Sequence, residues 1–231
     1  MTRTAPAVIV IPAYEPTAAL ADVVAALAAT GRAVIVVDDG SSAAARNVFD
    51  RIAGASGVRL VGHPVNRGKG EALKTAFALV LREYRPETCG VVTADADGQH
   101  LAPDIVRVAE RLEASPAALV LGSRSFDGRV PLRSRVGNGA MRTLFHALAG
   151  RDLSDTQTGL RGIPRAFLAD LIALTSSRYD FEFEMLMLAA RRRLEIVDVP
   201  IATVYGAPGQ SHFRPVADSV RVLSVLVRAS F

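Results

Sequence analysis

The sequence has one cysteine, Cys89, and no tryptophan in 231 residues. A lone cysteine excludes an intrachain disulfide and suits a reducing compartment. Aromatic residues make up only 6%, and no aromatic–basic stacking motif is present, which argues against a nucleic-acid binder. Long apolar runs are missing as well. The longest, Ala5 to Ile11 and Val222 to Val227, fall far short of the roughly 18–20 residues that cross a bilayer. Arg3 precedes the first run, but Pro12 and Glu15 interrupt it and no small-residue cleavage site follows. It therefore reads as a first strand and not a signal peptide, and the expectation is a cytoplasmic protein. Charge of one sign is scarce too: 27 Lys and Arg against 23 Asp and Glu leave a formal net charge of +4. That excess is compatible with anionic partners but selects none.

What is present is a globular chain. Half the residues are hydrophobic and 22% are charged, which excludes disorder. A chain of this length buries roughly 70–75% of its unfolded surface in one core, so residues 1–231 are expected to form a single domain. Short β-branched runs lie at Ala7–Ile11, Ala33–Val37, Val58–Val61, Gly90–Ala94, Ala118–Gly122 and Glu195–Val199. Helical patterns lie near Thr17–Ala29, Ala43–Ala53, Gly70–Glu83, Pro103–Glu113, Asn138–Ala149, Pro164–Leu174 and Phe181–Arg192. Strands alternating with crossover helices predict an α/β fold with a mostly parallel sheet. In such sheets ligands bind outside the carboxyl ends of the strands. The residues that follow the strands therefore matter most.

After the fourth strand comes Asp95-Ala96-Asp97-Gly98-Gln99-His100. In an extended segment Asp95, Asp97 and Gln99 point to one face, and three oxygens there suit Mg²⁺ or Mn²⁺. A turn rich in Asp and Gly is the plainer alternative. A calcium loop is excluded, because it would need Gly at His100 and Glu at Val106. After the second strand, Asp38-Asp39 suits a ribose hydroxyl or a base N–H. A cap by Asp39 and Ser41 is compatible with that role. The first turn, Pro12-Ala13-Tyr14-Glu15, has no glycine, which argues against a nicotinamide dinucleotide.

Asn66-Arg67-Gly68-Lys69-Gly70 opens a helix, where backbone N–H groups can meet phosphate, although the spacing is not that of a P-loop. Arg124, Arg129, Arg133 and Arg135 form a cluster suited to phosphate, or else a solvated loop. Arg191-Arg192-Arg193 ends an amphipathic helix, where cations suit the dipole, and is assigned no function.

Taken in order, these pieces resemble glycosyltransferase family 2. The matching segments are Val10–Glu15, Val36–Ser42, Asn66–Gly70, Asp95–His100, Gly122-Ser123-Arg124 and Asp155–Arg161. The branch they resemble most is the dolichyl- or polyprenyl-phosphate sugar synthases. The resemblance implies a single GT-A-type, Rossmann-like domain. It also implies inverting transfer from a UDP- or GDP-linked sugar to a polyprenyl phosphate, with Mg²⁺ or Mn²⁺ as cofactor. It places Pro12, Tyr14, Glu15, Asp38 and Asp39 on the nucleoside, with Lys69, Asp95 and Ala96 completing the donor side. Asp95 and Asp97 hold the metal, with Gln99 as third ligand. Arg124 contacts phosphate, Asp155, Gln157 and Arg161 line the acceptor side, and Arg135 and His212 meet the acceptor phosphate. A hydroxyl acceptor would need a base, for which Asp155 leads and His100 and His212 follow. A lipid phosphate is already ionised and would need none.

Two features depart from the relatives. Many of these carry transmembrane helices, whereas residues 215–231 here form an amphipathic pattern. Arg214, Asp218, Arg221 and Arg228 fall on one face and Val216, Val220, Leu223, Leu226 and Val227 on the other. Packing on the sheet is favoured slightly over peripheral contact with the inner face of a membrane. His212 stands where a Lys is common, which leaves a soluble or glycan hydroxyl open as the alternative acceptor. A nucleotidyltransferase would carry a Gly-rich basic first loop, and Pro12–Glu15 is not one.

Overall fold

Alternation within the first strand, β1 (Val8–Ala13), sets the layers. Val8 and Val10 pack into one hydrophobic layer, Ile9 and Ile11 into the other, and all six residues are buried. A strand covered on both faces belongs inside a parallel sheet flanked by helices. The computed structural model describes residues 5–124, 139, 141–143, 145–147, 150, 152–178 and 180–202.

The remaining strands are β2 (Val34–Asp38), β3 (Val58–Gly62), β4 (Gly90–Thr93), β5 (Leu119–Arg124), β6 (Arg161–Pro164) and β7 (Ile196–Ile201). Their order in one sheet is β3-β2-β1-β4-β6-β5-β7. All pairings are parallel except those of β6, which runs against both β4 and β5. The helices are α1 (Ala18–Ala28), α2 (Arg46–Ile52), α3 (Lys69–Glu83), α4 (Ala102–Ala114), α5 (Arg165–Ile172) and α6 (Asp180–Arg191). Residues of α1, α2 and α4 cover one face of the sheet, and those of α3, α5 and α6 cover the other.

Each expected strand is present within a residue or two of its expected limits. The β6 strand was not expected. It has four residues, Arg161-Gly162-Ile163-Pro164, and only one is β-branched, so no run marks it. Its pairing comes from the strands on either side, with Val92 and Val120 both opposite Gly162. The Ala43–Ala53 pattern opens as a 3-10 turn over Ala43–Ala45 before α2 begins. Residues 139, 141–143 and 145–147 are helical, within the pattern at Asn138–Ala149. Arg192, just past α6, pairs with Asp170 at 2.9 Å. Among the described residues no helix is long and apolar enough to cross a membrane. The pattern at 215–231, the cluster residues Arg129, Arg133 and Arg135, and His212 lie outside the described residues.

Cys89 precedes β4 and is 5% exposed. Burial, then the nearby Glu113 carboxylate, push its thiol up to about 11. A raised thiol pKa means the neutral, unreactive form at pH 8, and thiolate forms only as the pH climbs towards 11. Alkylation at pH 8 should therefore be slow in the native protein. Its rate should rise with urea in step with the loss of far-UV circular dichroism. A native rate equal to that of the unfolded chain would contradict the burial.

Candidate active site

Three turns at the carboxyl ends of β1, β2 and β3 form the first rim of the site, and side chains pin them together. Pro12 lacks an N–H, and it sits in β1 beyond the last residue paired with β4, where that costs no sheet bond. Tyr14, just after β1, is 41% exposed. Glu15 follows at φ +48°, and its carboxylate accepts the Ser42 N–H at 2.6 Å and the Ser42 hydroxyl at 3.1 Å. Asp38, not Asp39, closes the second turn, with Oδ1 accepting the Ser41 N–H at 2.8 Å. Asp39 is buried and faces the third turn. Its Oδ1 accepts from the Arg67 N–H at 2.9 Å and its Oδ2 from the Gly68 N–H at 2.7 Å, while His63 Nδ1 lies 2.7 Å from Oδ1. The Asp39 carboxylate thus holds the Asn66–Gly70 turn in place. Its partners in this structure are protein groups, and sequence alone gave no sign of them.

The segment after β4 turns where an extended run was expected. The turn is centred on Ala96 and Asp97, Gly98 takes φ +79°, and Asp97 Oδ1 accepts the Gln99 N–H at 3.0 Å. The premise that Asp95, Asp97 and Gln99 share one face of a strand is therefore corrected, because an Asp-Gly turn replaces the strand. Ala96 packs against the layer that holds α1. Asp95 and Gln99 line a cleft with His100, Arg124, Gln157 and Gly159. His100 is buried, and its Nδ1 accepts the Asp95 N–H at 3.0 Å, so it holds the backbone of the turn. Gly159 is required by close approach: a Cβ there would lie 2.4 Å from Asp95 Oδ2.

Charges in the cleft are matched. Lys69 Nζ lies 2.5 Å from Asp95 Oδ1 and 2.9 Å from Glu182 Oε1. Burial alone would raise the Asp95 pKa, but Lys69 and then His100 hold it down at about 2. Burial would lower that of Lys69, and the Asp95 and Glu182 charges more than reverse this. Asp97 is raised, by burial first and then by the Asp95 charge. Arg124 grips Asp155 through two donors, Nε to Oδ2 at 2.6 Å and Nη2 to Oδ1 at 3.0 Å. Asp155 is fully buried and also accepts the Gln157 N–H at 2.9 Å.

Arg161 departs from expectation. Expected to line the acceptor side, it is 1% exposed, and its donors go to the carbonyls of Thr158 (2.9 Å), Glu182 (2.5 Å) and Thr156 (3.3 Å). It lies beneath the cleft, knitting the chain before β6 to α6. Glu182 was missed from sequence. It sits in the run Asp180-Phe-Glu-Phe-Glu-Met, which reads only as the start of a helix.

Among the described residues no three His, Cys, Asp or Glu side chains converge on a point where an ion could sit. Asp95, Asp97 and Gln99 nevertheless supply hard oxygens on one turn. Mg²⁺ is commonly held by one or two carboxylates with phosphates and water supplying the rest. The donor set fits an ion shared with a bound diphosphate rather than one caged by protein alone.

The fold is of the GT-A type, and the family match makes the chain a nucleotide-sugar glycosyltransferase. The backbone is similar to S. aureus TarS residues 1–349, solved in complex with UDP-GlcNAc. That match has a TM-score of 0.62 and 15% identity and covers 97% of this chain and 66% of that one. Residues 8–171 match the model of Glycosyl transferase family 2, and the chain belongs to that family. An uncharacterised protein of Methanocaldococcus jannaschii is 30% identical over 95% of this chain and 90% of its own length. The UDP-N-acetylglucosamine–dolichyl-phosphate N-acetylglucosaminyltransferase of Methanococcus voltae is 33% identical over 62% of this chain and 58% of its own.

Proposed function

We propose that the chain transfers a sugar from a UDP- or GDP-linked donor to a polyprenyl phosphate, in one inverting displacement that uses Mg²⁺ or Mn²⁺. The observation that carries this reading is the state of the carboxylates. Asp155 is buried with both oxygens on Arg124, and Asp95, the one carboxylate among the described lining residues, is paired with Lys69. Neither is arranged to take a proton from a hydroxyl. An acceptor phosphate carries its own nucleophilic oxygen and asks for none. The M. voltae relative, named for a dolichyl-phosphate acceptor, supports the same choice.

In this reading Pro12, Tyr14, Glu15, Asp38 and Asp39 shape the nucleoside end, and Asp95, Asp97 and Gln99 hold the ion. When bound, a divalent cation neutralises the leaving nucleoside diphosphate. Arg124 binds phosphate, and Asp155 is a positioning residue that fixes the plane of the Arg124 guanidinium. Gln157 lines the acceptor side, and Arg135 and His212 meet the acceptor phosphate. A polyprenyl-phosphate acceptor would place the reaction at the cytoplasmic face of a membrane.

The test is turnover with a short prenyl phosphate beside a panel of hydroxyl acceptors, using UDP- and GDP-sugars in turn. The rate with the prenyl phosphate should stay nearly flat between about pH 6.5 and 8, since no base must lose a proton. Arg135→Ala should raise the acceptor KM about ten- to a hundredfold and leave donor affinity unchanged, as expected for a lost charge-assisted hydrogen bond. The product should carry the inverted anomeric configuration by NMR. Transfer to hydroxyls alone, governed by a titrating group, would replace the lipid phosphate with a hydroxyl acceptor.

A further inference from the structure

Lys69 stands where helix electrostatics do not favour a cation. It is the first residue of α3, at the positive end of the helix dipole. Its reason for being there is the pair of carboxylates it bridges, Asp95 at 2.5 Å and Glu182 at 2.9 Å. The platform that carries it is rigid. Asp39 holds the N–H groups of Arg67 and Gly68, and Gly70 packs so closely that a Cβ would lie 2.7 Å from the Ser177 carbonyl carbon and 2.9 Å from Phe181 Cβ. That contact brings the start of α6, and with it Glu182, up to the ammonium. Lys69 is 16% exposed and Glu182 13%, whereas Asp95 at 30% is the member of the trio open to the cleft. The negative charge a divalent ion would use on Asp95 is therefore already matched by an internal cation.

We propose that the Lys69 ammonium is the resident counter-ion of Asp95 and Glu182, which a divalent cation must displace from Asp95. The donor-free protein then binds the ion weakly, and a diphosphate that draws the ammonium away makes binding tight. This inference rests on the glycosyl-transfer reading only in naming a diphosphate as the group that arrives with the ion. Glu182 keeps one hold on the ammonium when Asp95 lets go, so the displacement needs a side-chain swing and no refolding. Metal and donor binding become linked: each favours the other to the same extent.

The experiment reads Mn²⁺ binding by electron paramagnetic resonance, with no turnover. Lys69→Gln and Lys69→Met, free of donor, should bind Mn²⁺ about ten- to a hundredfold more tightly than wild type, the worth of one charge-assisted hydrogen bond at the ion's own ligand. Lys69→Arg should stay weak. Lys74→Gln removes an equal charge that pairs with Glu71 and the Leu174 carbonyl instead, and it should leave Mn²⁺ affinity unchanged. Adding UDP or GDP should tighten Mn²⁺ in wild type and narrow the gap. A folded Lys69→Gln or Lys69→Met with wild-type or weaker Mn²⁺ affinity overturns the proposal. Should both variants fail to fold, a wild-type crystal structure with Mn²⁺ and nucleoside diphosphate decides it. An ion on Asp95 with Lys69 still within hydrogen-bond distance of that carboxylate overturns it equally. A wrong sugar or acceptor would leave these binding results untouched, so the two readings fail separately.

Discussion

Asp95→Asn should lower turnover about a thousandfold while the protein melts near its wild-type temperature. The substitution keeps the shape that fits against Gly159 and keeps an oxygen for Lys69, but it removes the charge. Because the Asp95 carboxyl is held at about 2, that charge is present at every pH of an ordinary assay, and the loss should not be recovered by raising the pH. Lewis-acid help at a leaving diphosphate is worth several kcal/mol, and each ~1.4 kcal/mol is a factor of ten in rate. Steady-state kinetics across a Mn²⁺ series check the size of the effect. Retention of more than a tenth of the wild-type rate, or full wild-type activity in excess EDTA, would remove the metal from the proposed reaction.

Arg161→Ala should damage the fold rather than the affinity for acceptor. It strips the carbonyls of Thr156, Thr158 and Glu182 of the donors they face in a buried setting. A buried polar group left without a partner costs about 1–3 kcal/mol. The Thr156 and Thr158 carbonyls lose theirs, while the Glu182 carbonyl keeps its helical N–H. With the packing of the buried side chain lost as well, the total should be about 3 kcal/mol. For a chain of this size that lowers the melting temperature by roughly 6–12 °C. Lys in its place offers no planar fork to reach three carbonyls and should rescue little. Thermal unfolding followed by circular dichroism is the measurement. A variant with wild-type stability and a raised acceptor KM would return Arg161 to the acceptor surface.

The parallel sheet was legible because short β-branched runs alternate with helical patterns, and the residues that follow the strands pointed to the cleft. Local patterns carry that information, and it held for six of the strands. β6 escaped because its four residues have no periodicity of their own and pair only through their neighbours. The same limit hid the ion pairs. Lys69 meets Glu182 across 113 residues, and nothing near either one in the chain announces the other. Asp95–Gln99 was readable as a source of oxygens, and the turn that forms there was the plainer alternative, since Asp and Gly serve both a ligand loop and a bend. The glycines flanking Lys69 were the available hint. Two of them around a basic residue at a helix start signal close backbone approach, but not what approaches.

The reversed direction of β6 has a consequence for how such a site diversifies. Arg161 pairs with both Thr93 and Leu121, near the carboxyl ends of β4 and β5, so β6 enters the sheet on the side where its parallel neighbours leave it. Arg124 of β5 lines the cleft, and Arg161, which opens β6, lies beneath it. Whatever length joins them is fixed at each end. It is pinned between its ends as well, since Phe145 and Leu153 pack into the core and Asp155 holds Arg124, so any change of length must fall between those anchors.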